Sequence, residues 1–362
     1  MKLTKTLMMG AAFAVAATSG AQAQNLRGAA GASQAHPSTY MYEQFATYLE
    51  EESGGSMSLT MIGPEVVSLT QVPDALQSEL INVGNLLPLF FPADFTRTNV
   101  AGDMALIGRN SHAMALAMTE FAVNCDPCQQ EFSSKGMVFL GAGASDPYVL
   151  ITTSPVRTAE DLQGLRLRSG GAPFSRWAEH FGATPVNMPV GEQFEGMNQG
   201  TIDGSMASIV DMLSFRLVDV ARYTTSVPLG TYHVTSNFTV NQSTWSGMSE
   251  DDRATFVRAA NRANPTLTDR WGFQLPEAAR NAVADAGIEV ITPDDSLLEA
   301  SNAFAEADAE ARIAADDLAG QFAEYVAKWT AIVEELGDDP EALAARAMDE
   351  IWANVDLSTY GL

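Results

Sequence analysis

Cys125 and Cys128 stand three residues apart in the run Asn-Cys-Asp-Pro-Cys. In an oxidising compartment such a pair is read as one short disulfide. Thiol oxidoreductases use the same spacing, but the aromatic strand and βαβ start that accompany a redox site are missing here. A zinc site lacks its second Cys/His pair. The histidines, His36, His112, His180 and His233, are too scattered to suggest a metal cluster. No Gly-x-Ser-x-Gly elbow, His-Glu-x-x-His, P-loop or Gly-x-Gly-x-x-Gly stands after a predicted strand. Asp and Glu are abundant, and a solvated acidic surface explains them better than paired catalytic acids. A catalytic site needs groups in complementary roles, so the sequence is not read as an enzyme.

The elements that could position a site alternate between strand and helix through the middle of the chain, which predicts an α/β architecture. Tyr40, Phe45, Tyr48 and Leu49 recur at helical spacing, and Gly54-Gly55 ends that helix. Ser58 to Ile62 alternates like a strand. Ser68 opens a second predicted helix with Val72, Leu76 and Leu80 on one face, and Ile81 to Leu87 reads as a strand. Further strands are expected at 138–140, 148–152, 186–188 and 288–291. Thr158 is read as a helix N-cap. Leu165 to Leu167 reads as a strand that carries Arg168 at its end. Arg166 is expected on the other face of that strand, as an ordinary surface charge. From Ser249 the chain becomes helical, with breaks expected near Pro265 and Pro276. Trp271, Tyr325 and Trp329 are read as packing residues.

Lys2 and Lys5, the apolar run Leu7 to Ala17 and the small residues Ala21 and Ala23 form a Sec-type signal, with cleavage expected after Ala23. No Cys follows that point, which argues against a lipid anchor. No later run has the length and apolarity of a membrane helix. The remaining chain, from about Gln24 to Leu362, is too long for one small core and suits two lobes. Its 18 basic residues face 45 acidic ones, a net charge of −27 against −25 for all 362 residues. Nucleic acid is a poor partner for such a surface. An anionic ligand needs a local positive site that outweighs the field.

Residues 161–223 carry the informative pattern. They read Leu162-Gln-Gly-Leu-Arg-Leu-Arg168, then Gly182-Ala-Thr-Pro185 with Met188-Pro189, Glu192-Gln-Phe194, Gly200-Thr-Ile-Asp203-Gly204, and Phe215 to Tyr223. In order and spacing, with one short gap, this resembles the solute-binding proteins of tripartite ATP-independent periplasmic (TRAP) transporters, a family named after C4-dicarboxylate binding. A looser match runs from Asn25 to about the end of the chain. The resemblance implies a two-lobe periplasmic-binding-protein-like α/β fold with crossing connections and long C-terminal helices. It places lobe one at about 25–147 plus 233–275 and lobe two at about 148–232 plus 276–362, closing on a ligand like a hinge. It implies a periplasmic protein that captures a small organic acid for the membrane subunits of a transporter, without a cofactor. A ligand-sensing periplasmic receptor is the alternative.

In that family the strand-terminal arginine binds the ligand carboxylate, and the matching position is Arg168. A guanidinium suits the role, with two parallel donors and a charge it cannot lose. The chain departs from the pattern elsewhere. Tyr148 stands where many members carry a second arginine. Ser205-Met206-Ala207-Ser208 replaces Gln-Glu-Asn-Pro, so Ala207 stands for the ligand-touching Asn. Val190 stands near the position of a stacking ring. With one cation where two are common, a monocarboxylate with an apolar or aromatic body is expected over a C4-dicarboxylate or sugar acid, since a second unpaired carboxylate would cost several kcal/mol of desolvation. Tyr148 can donate one hydrogen bond, and Met206 and Val190 are expected along an apolar wall. Arg27 or His233 could restore polarity. The candidate site is thus Arg168, Tyr148, Ser205, Met206, Ala207, Val190, His233 and Asn85.

Overall fold

The protein is described by a computed structural model covering residues 24–362. The signal sequence expected at 1–23 lies outside the described residues. The strands are β1 (Gln24–Ala29), β2 (Met57–Met61), β3 (Val83–Leu86), β4 (Met137–Val138), β5 (Val149–Thr152), β6 (Arg166–Ser169), β7 (Thr184–Asn187), β8 (Gly204–Ala207), β9 (Tyr223–Thr225), β10 (Ser236–Asn241) and β11 (Glu289–Ile291). They form two sheets, in the orders β2-β1-β3-β10-β4 and β11-β9-β5-β8-β6-β7. Both are mixed: β10 runs antiparallel to β3 and β4, and β5 antiparallel to β8 and β9. Each sheet heads one lobe, so the two-lobe α/β expectation describes the molecule.

Between β4 and β5 the chain crosses from the first sheet to the second, and between β9 and β10 it returns. These two crossings run side by side. Tyr148 N–H donates to Gly230 O at 2.7 Å, Leu229 N–H to Tyr148 O at 3.0 Å, and Ser145 N–H to Tyr232 O at 2.9 Å. Gly230 has φ +73°, and a Cβ there would meet Ala105 O at 1.8 Å, so only glycine fits this turn of the ribbon. The third crossing is helical. Glu250–Asp269 starts at a Ser249/Asp252 capping box and continues through Pro265 without breaking. It changes to a π-helix at Arg270–Gln274 before Leu275–Asp285. Pro276 brings no N–H and its ring crowds the preceding turn, which accounts for a local change there.

The C-terminal helices are arranged differently from expectation. Asp317–Leu336 packs on Ser111–Asn124, and Pro340–Glu350 on Glu250–Asp269. Phe322, Trp329 and Val333 are buried, and Trp329 Nε1 donates to Glu120 Oε2 at 2.6 Å. Segment 317–362 therefore builds on the first-sheet side, not on lobe two. Two shorter readings also change. Thr158 caps no α-helix: the N–H groups of Arg157 and Thr158 both donate to Asp161 Oδ2, which closes a local turn, and only a 3₁₀ turn follows at Glu160–Leu162. The helix after Ser68 spans only Val72–Gln77, leaving Leu80 exposed.

Candidate functional site

Both lobes and the crossings line one cavity between them. Arg168 reaches it from the C-terminal half of β6 and is 1% exposed. Its Nε–H donates to Met188 O at 3.1 Å and an Nη1–H to Met206 O at 3.4 Å. Among the described residues no carboxylate forms a salt bridge with it. Gly170 packs beneath the guanidinium, where a Cβ would sit 3.3 Å from both Nη atoms. Arg166 does not lie on the other face, since residues two apart in a strand share a face. The two arginines differ by position along β6: Arg166, at its exposed start, pairs with Asp203 at 2.7 Å, while Arg168 ends under the cavity.

Tyr148, in the first crossing, is stacked with Phe174 at 5.0 Å and lies 6.1 Å from Tyr232 of the second crossing. Burial pushes both phenols well above their usual range. Val190 and Asn85 also line the cavity. Ser205, Met206 and Ala207 lie behind it: Ser205 donates to Gln193 Oε1, Met206 offers its carbonyl to Arg168, and Ala207 pairs with Val149. All three are fully buried in the sheet, so Met206 is no apolar wall. His233 is placed elsewhere. Its Nδ1 and Nε2 lie 3.1 Å from Thr231 O and Ala101 O, and its ring stacks on Phe322, so it restores no polarity to the cavity. Arg27, on β1 of the first sheet, is held by the carbonyl of Glu79.

Several lining residues were not foreseen. His36 accepts the Ser38 N–H on Nδ1 at 3.1 Å, which puts the proton of the neutral ring on Nε2, and burial lowers its pKa to about 4. Trp271 is more than a packing residue: the π-helix presents it to the cavity, with its Nε1–H on Ser208 Oγ at 3.2 Å. Asp211, Asn237, Thr235, Phe90 and Tyr232 complete the wall with Leu69, Leu87 and Leu267. Among the described residues Asn85 Oδ1, Asn237 Oδ1 and the Tyr232 hydroxyl are buried without a hydrogen-bond partner. Below the wall, Asp146 accepts the Ser208 hydroxyl and the Ile209 N–H at 3.2 Å, and burial raises its carboxyl to about 7. Cys125 and Cys128 are joined in a disulfide, buried at the start of helix Asp126–Ser134, and are absent from the cavity wall. No cluster able to hold a metal ion occurs among the described residues.

The arrangement binds rather than reacts: a fixed cation, aromatic faces and unpaired polar atoms enclose one volume between two lobes. Comparison with known proteins agrees with that reading. The 2,3-diketo-L-gulonate-binding periplasmic protein of Escherichia coli (strain K12) is 28% identical over 145 residues, 39% of this chain and 43% of that protein, so the match spans less than half of that relative. A TRAP periplasmic solute-binding protein of Bordetella bronchiseptica, solved with (R)- and (S)-mandelate, shares the fold with a TM-score of 0.74 at 24% identity, covering 86% of this chain and 99% of that one. A TRAP solute-binding protein of Rhodoferax ferrireducens T118, solved with copurified benzoate, matches with a TM-score of 0.74 at 17% identity, covering 85% and 99%. Residues 29–313 match the sequence model of the bacterial extracellular solute-binding proteins of family 7. The chain belongs to that family, as the resemblance to TRAP solute-binding proteins implied.

Proposed function

We propose that the protein works in the periplasm, closes its two lobes on a small organic acid, and delivers that acid to the membrane subunits of a TRAP transporter. One observation carries the reading: Arg168 is a buried guanidinium on the wall of the interlobe cavity, held by two backbone carbonyls and by no carboxylate among the described residues. A buried cation with no salt-bridged carboxylate keeps donors unused, and a ligand carboxylate on those donors would make charge-assisted hydrogen bonds. Phe90, Tyr148, Tyr232 and Trp271 offer aromatic faces to the rest of the ligand. They favour a monocarboxylate with an apolar or aromatic body. The mandelate and benzoate held by two proteins of the same fold support that class.

The test is a thermal-shift panel on the secreted protein, followed by calorimetry. Ligand at about 100 times its Kd adds roughly 2.7 kcal/mol of stability. Aryl or branched monocarboxylates are expected to raise Tm. Stabilisation by succinate, malate or uronates, with none by the monocarboxylates, would overturn the ligand class. No response to any organic acid would overturn the function.

A further inference from the structure

Asp211 opens the short helix Asp211–Ser214 that follows β8, and it stands on the cavity wall with Arg168. Its Oδ2 accepts a hydrogen bond from Gln193 Nε2 at 2.8 Å. Gln193 is fully buried, and its Oε1 accepts the Ser205 hydroxyl at 2.7 Å. An ionised carboxylate only accepts, so Gln193 turns its Nε2 donor to Asp211 and its Oε1 to the Ser205 hydroxyl, which is free to donate. This relay from β8 holds one carboxylate oxygen and leaves Oδ1 without a hydrogen-bond partner among the described residues. Burial raises the carboxyl to about 6, while Gln193 and the Arg168 charge oppose the rise, so the ionised form prevails above neutral pH.

The neighbouring amides have the same polarity. Asn85 Nδ2 donates to Ala30 O at 3.3 Å, and Asn237 Nδ2 donates to Asn264 Oδ1 at 2.8 Å. Asn264 is oriented in turn by its Nδ2 bond to Leu140 O at 3.1 Å. Both amides therefore keep an oxygen, buried and unpartnered, on the cavity wall. One cation and three acceptors do not match a bare hydrocarbon acid, because each acceptor would be desolvated without a donor.

We propose that Asp211 is a specificity-determining residue: its Oδ1 accepts a hydrogen bond from an O–H or N–H of the ligand, so the site takes a monocarboxylate bearing such a donor over the same acid without it. The proposal rests on the reading that Arg168 holds the carboxylate. Substituting Asp211→Asn reverses the polarity. Gln193 Nε2 still needs an acceptor and takes the new amide oxygen, which turns an amide N–H toward the ligand. The variant then favours a keto oxygen where the wild type favours a hydroxyl.

The experiment measures Kd by calorimetry for matched acids: mandelate against phenylglyoxylate and phenylacetate, 3-hydroxybenzoate against benzoate, and pyroglutamate against its N-methyl derivative. In the wild type the donor-bearing member of at least one pair is expected to bind about 10- to 100-fold tighter, the range for a hydrogen bond to a charged group. Asp211→Asn is expected to abolish that preference and, for mandelate and phenylglyoxylate, to invert it. Its Tm without ligand separates a folded variant from an unfolded one, and Asp211→Ala, which must lose the preference without inverting it, provides a second folded probe. Equal affinities within every pair, or a folded Asp211→Asn that keeps the wild-type preference, would overturn the proposal and leave the organic-acid function standing. Binding of none of these acids to the wild type would overturn both.

Discussion

Replacing Arg168 by methionine separates a binding role from a structural one. The side chain keeps much of its length and loses its charge and donors. In the structure the guanidinium makes two backbone hydrogen bonds, of 3.1 and 3.4 Å, and no salt bridge among the described residues. A structural ion pair that lost its cation would leave a buried carboxylate behind and cost about 3–5 kcal/mol. Here the nearby acid, Asp211, is raised to about 6 even beside Arg168, so loss of that charge raises it further and favours its neutral form. Two backbone carbonyls lose a donor, at about 1 kcal/mol each, and the removed desolvation of the cation offsets this. The ligand-free Tm is therefore expected to stay within about 4 °C of the wild type. Binding should weaken by roughly 30-fold or more, since truncating a buried charge partner costs about 2–5 kcal/mol. Arg168→Lys keeps the charge but not the two-pronged donor, and is expected to recover only part of the affinity. Differential scanning fluorimetry and calorimetry read the two quantities. A large fall in Tm with unchanged affinity in the folded fraction would refute the reasoning and make Arg168 a structural residue.

Asp146 has an ordinary carboxyl pKa near 3.8 when unfolded and about 7 when folded, so the fold favours its protonated form. The stability it contributes is full below about pH 4 and is lost as pH rises through about 7, on the order of 4 kcal/mol across the range. Asp211 acts in the same direction, and the groups around Asp146 are Ser208, Ile209 and Asp211. Asp146→Asn is expected to flatten the fall in Tm between pH 5 and 8 measured without ligand, and an unchanged slope would refute the assignment. Replacing Cys125 and Cys128 together by alanine removes a four-residue loop worth about 2 kcal/mol by the chain-entropy relation. It should leave the affinity of the folded protein unchanged in calorimetry, because the pair lies off the cavity wall. Gly170→Ala puts a methyl 3.3 Å from both Nη atoms of Arg168, so the guanidinium must shift by a few tenths of an ångström. A roughly 3- to 10-fold loss of affinity with little change in Tm is expected, as misplacement of a charge-assisted pair predicts.

What could be read in the sequence follows from the range of the forces involved. The strand that carries Arg168 and the helix near 37–52 depend on local periodicity and turn residues, and these were legible. Arg168, Tyr148, Val190 and Asn85 reach the cavity because short elements or crossings carry them there. Asp211 was hidden among 45 acidic residues, and only its contact with buried Gln193 distinguishes it. Trp271 was hidden for another reason. An aromatic residue in a long helix reads as core, and the π-turn that re-aims it leaves no periodic signal. Burial within a sheet is equally silent in one dimension, which is why Ser205, Met206 and Ala207 were read as contacts although β8 holds them off the cavity wall. The placement of helix Asp317–Leu336 depends on which distant apolar face it matches, here Ser111–Asn124.

The same buried groups that define the site also set how the lobes respond to it. With the cleft shut, the orphaned atoms of Asn85, Asn237 and Tyr232 are out of water without a protein partner among the described residues, and the buried Arg168 guanidinium has two backbone carbonyls but no salt-bridged carboxylate. Each orphaned neutral group costs about 1–3 kcal/mol, so several together disfavour closure without ligand. Cross-cleft contacts pull the other way. Arg176 of lobe two reaches Asp103 of lobe one at 2.9 Å, and Ser33 and Ser214 bond across the mouth to Ser214 O and Ala35 O. These contacts are partly exposed and weak one by one. Closure is then poised, and a ligand shifts it by the difference between its affinities for the two states. An acid that pairs Arg168 and also donates to the unpaired acceptors repays most of the cost of closing. An acid that pairs Arg168 alone leaves the acceptors buried and the cleft inclined to reopen. Selectivity in this fold is therefore a property of closure as well as of contact, because the same unsatisfied atoms that reject a ligand also keep the lobes apart.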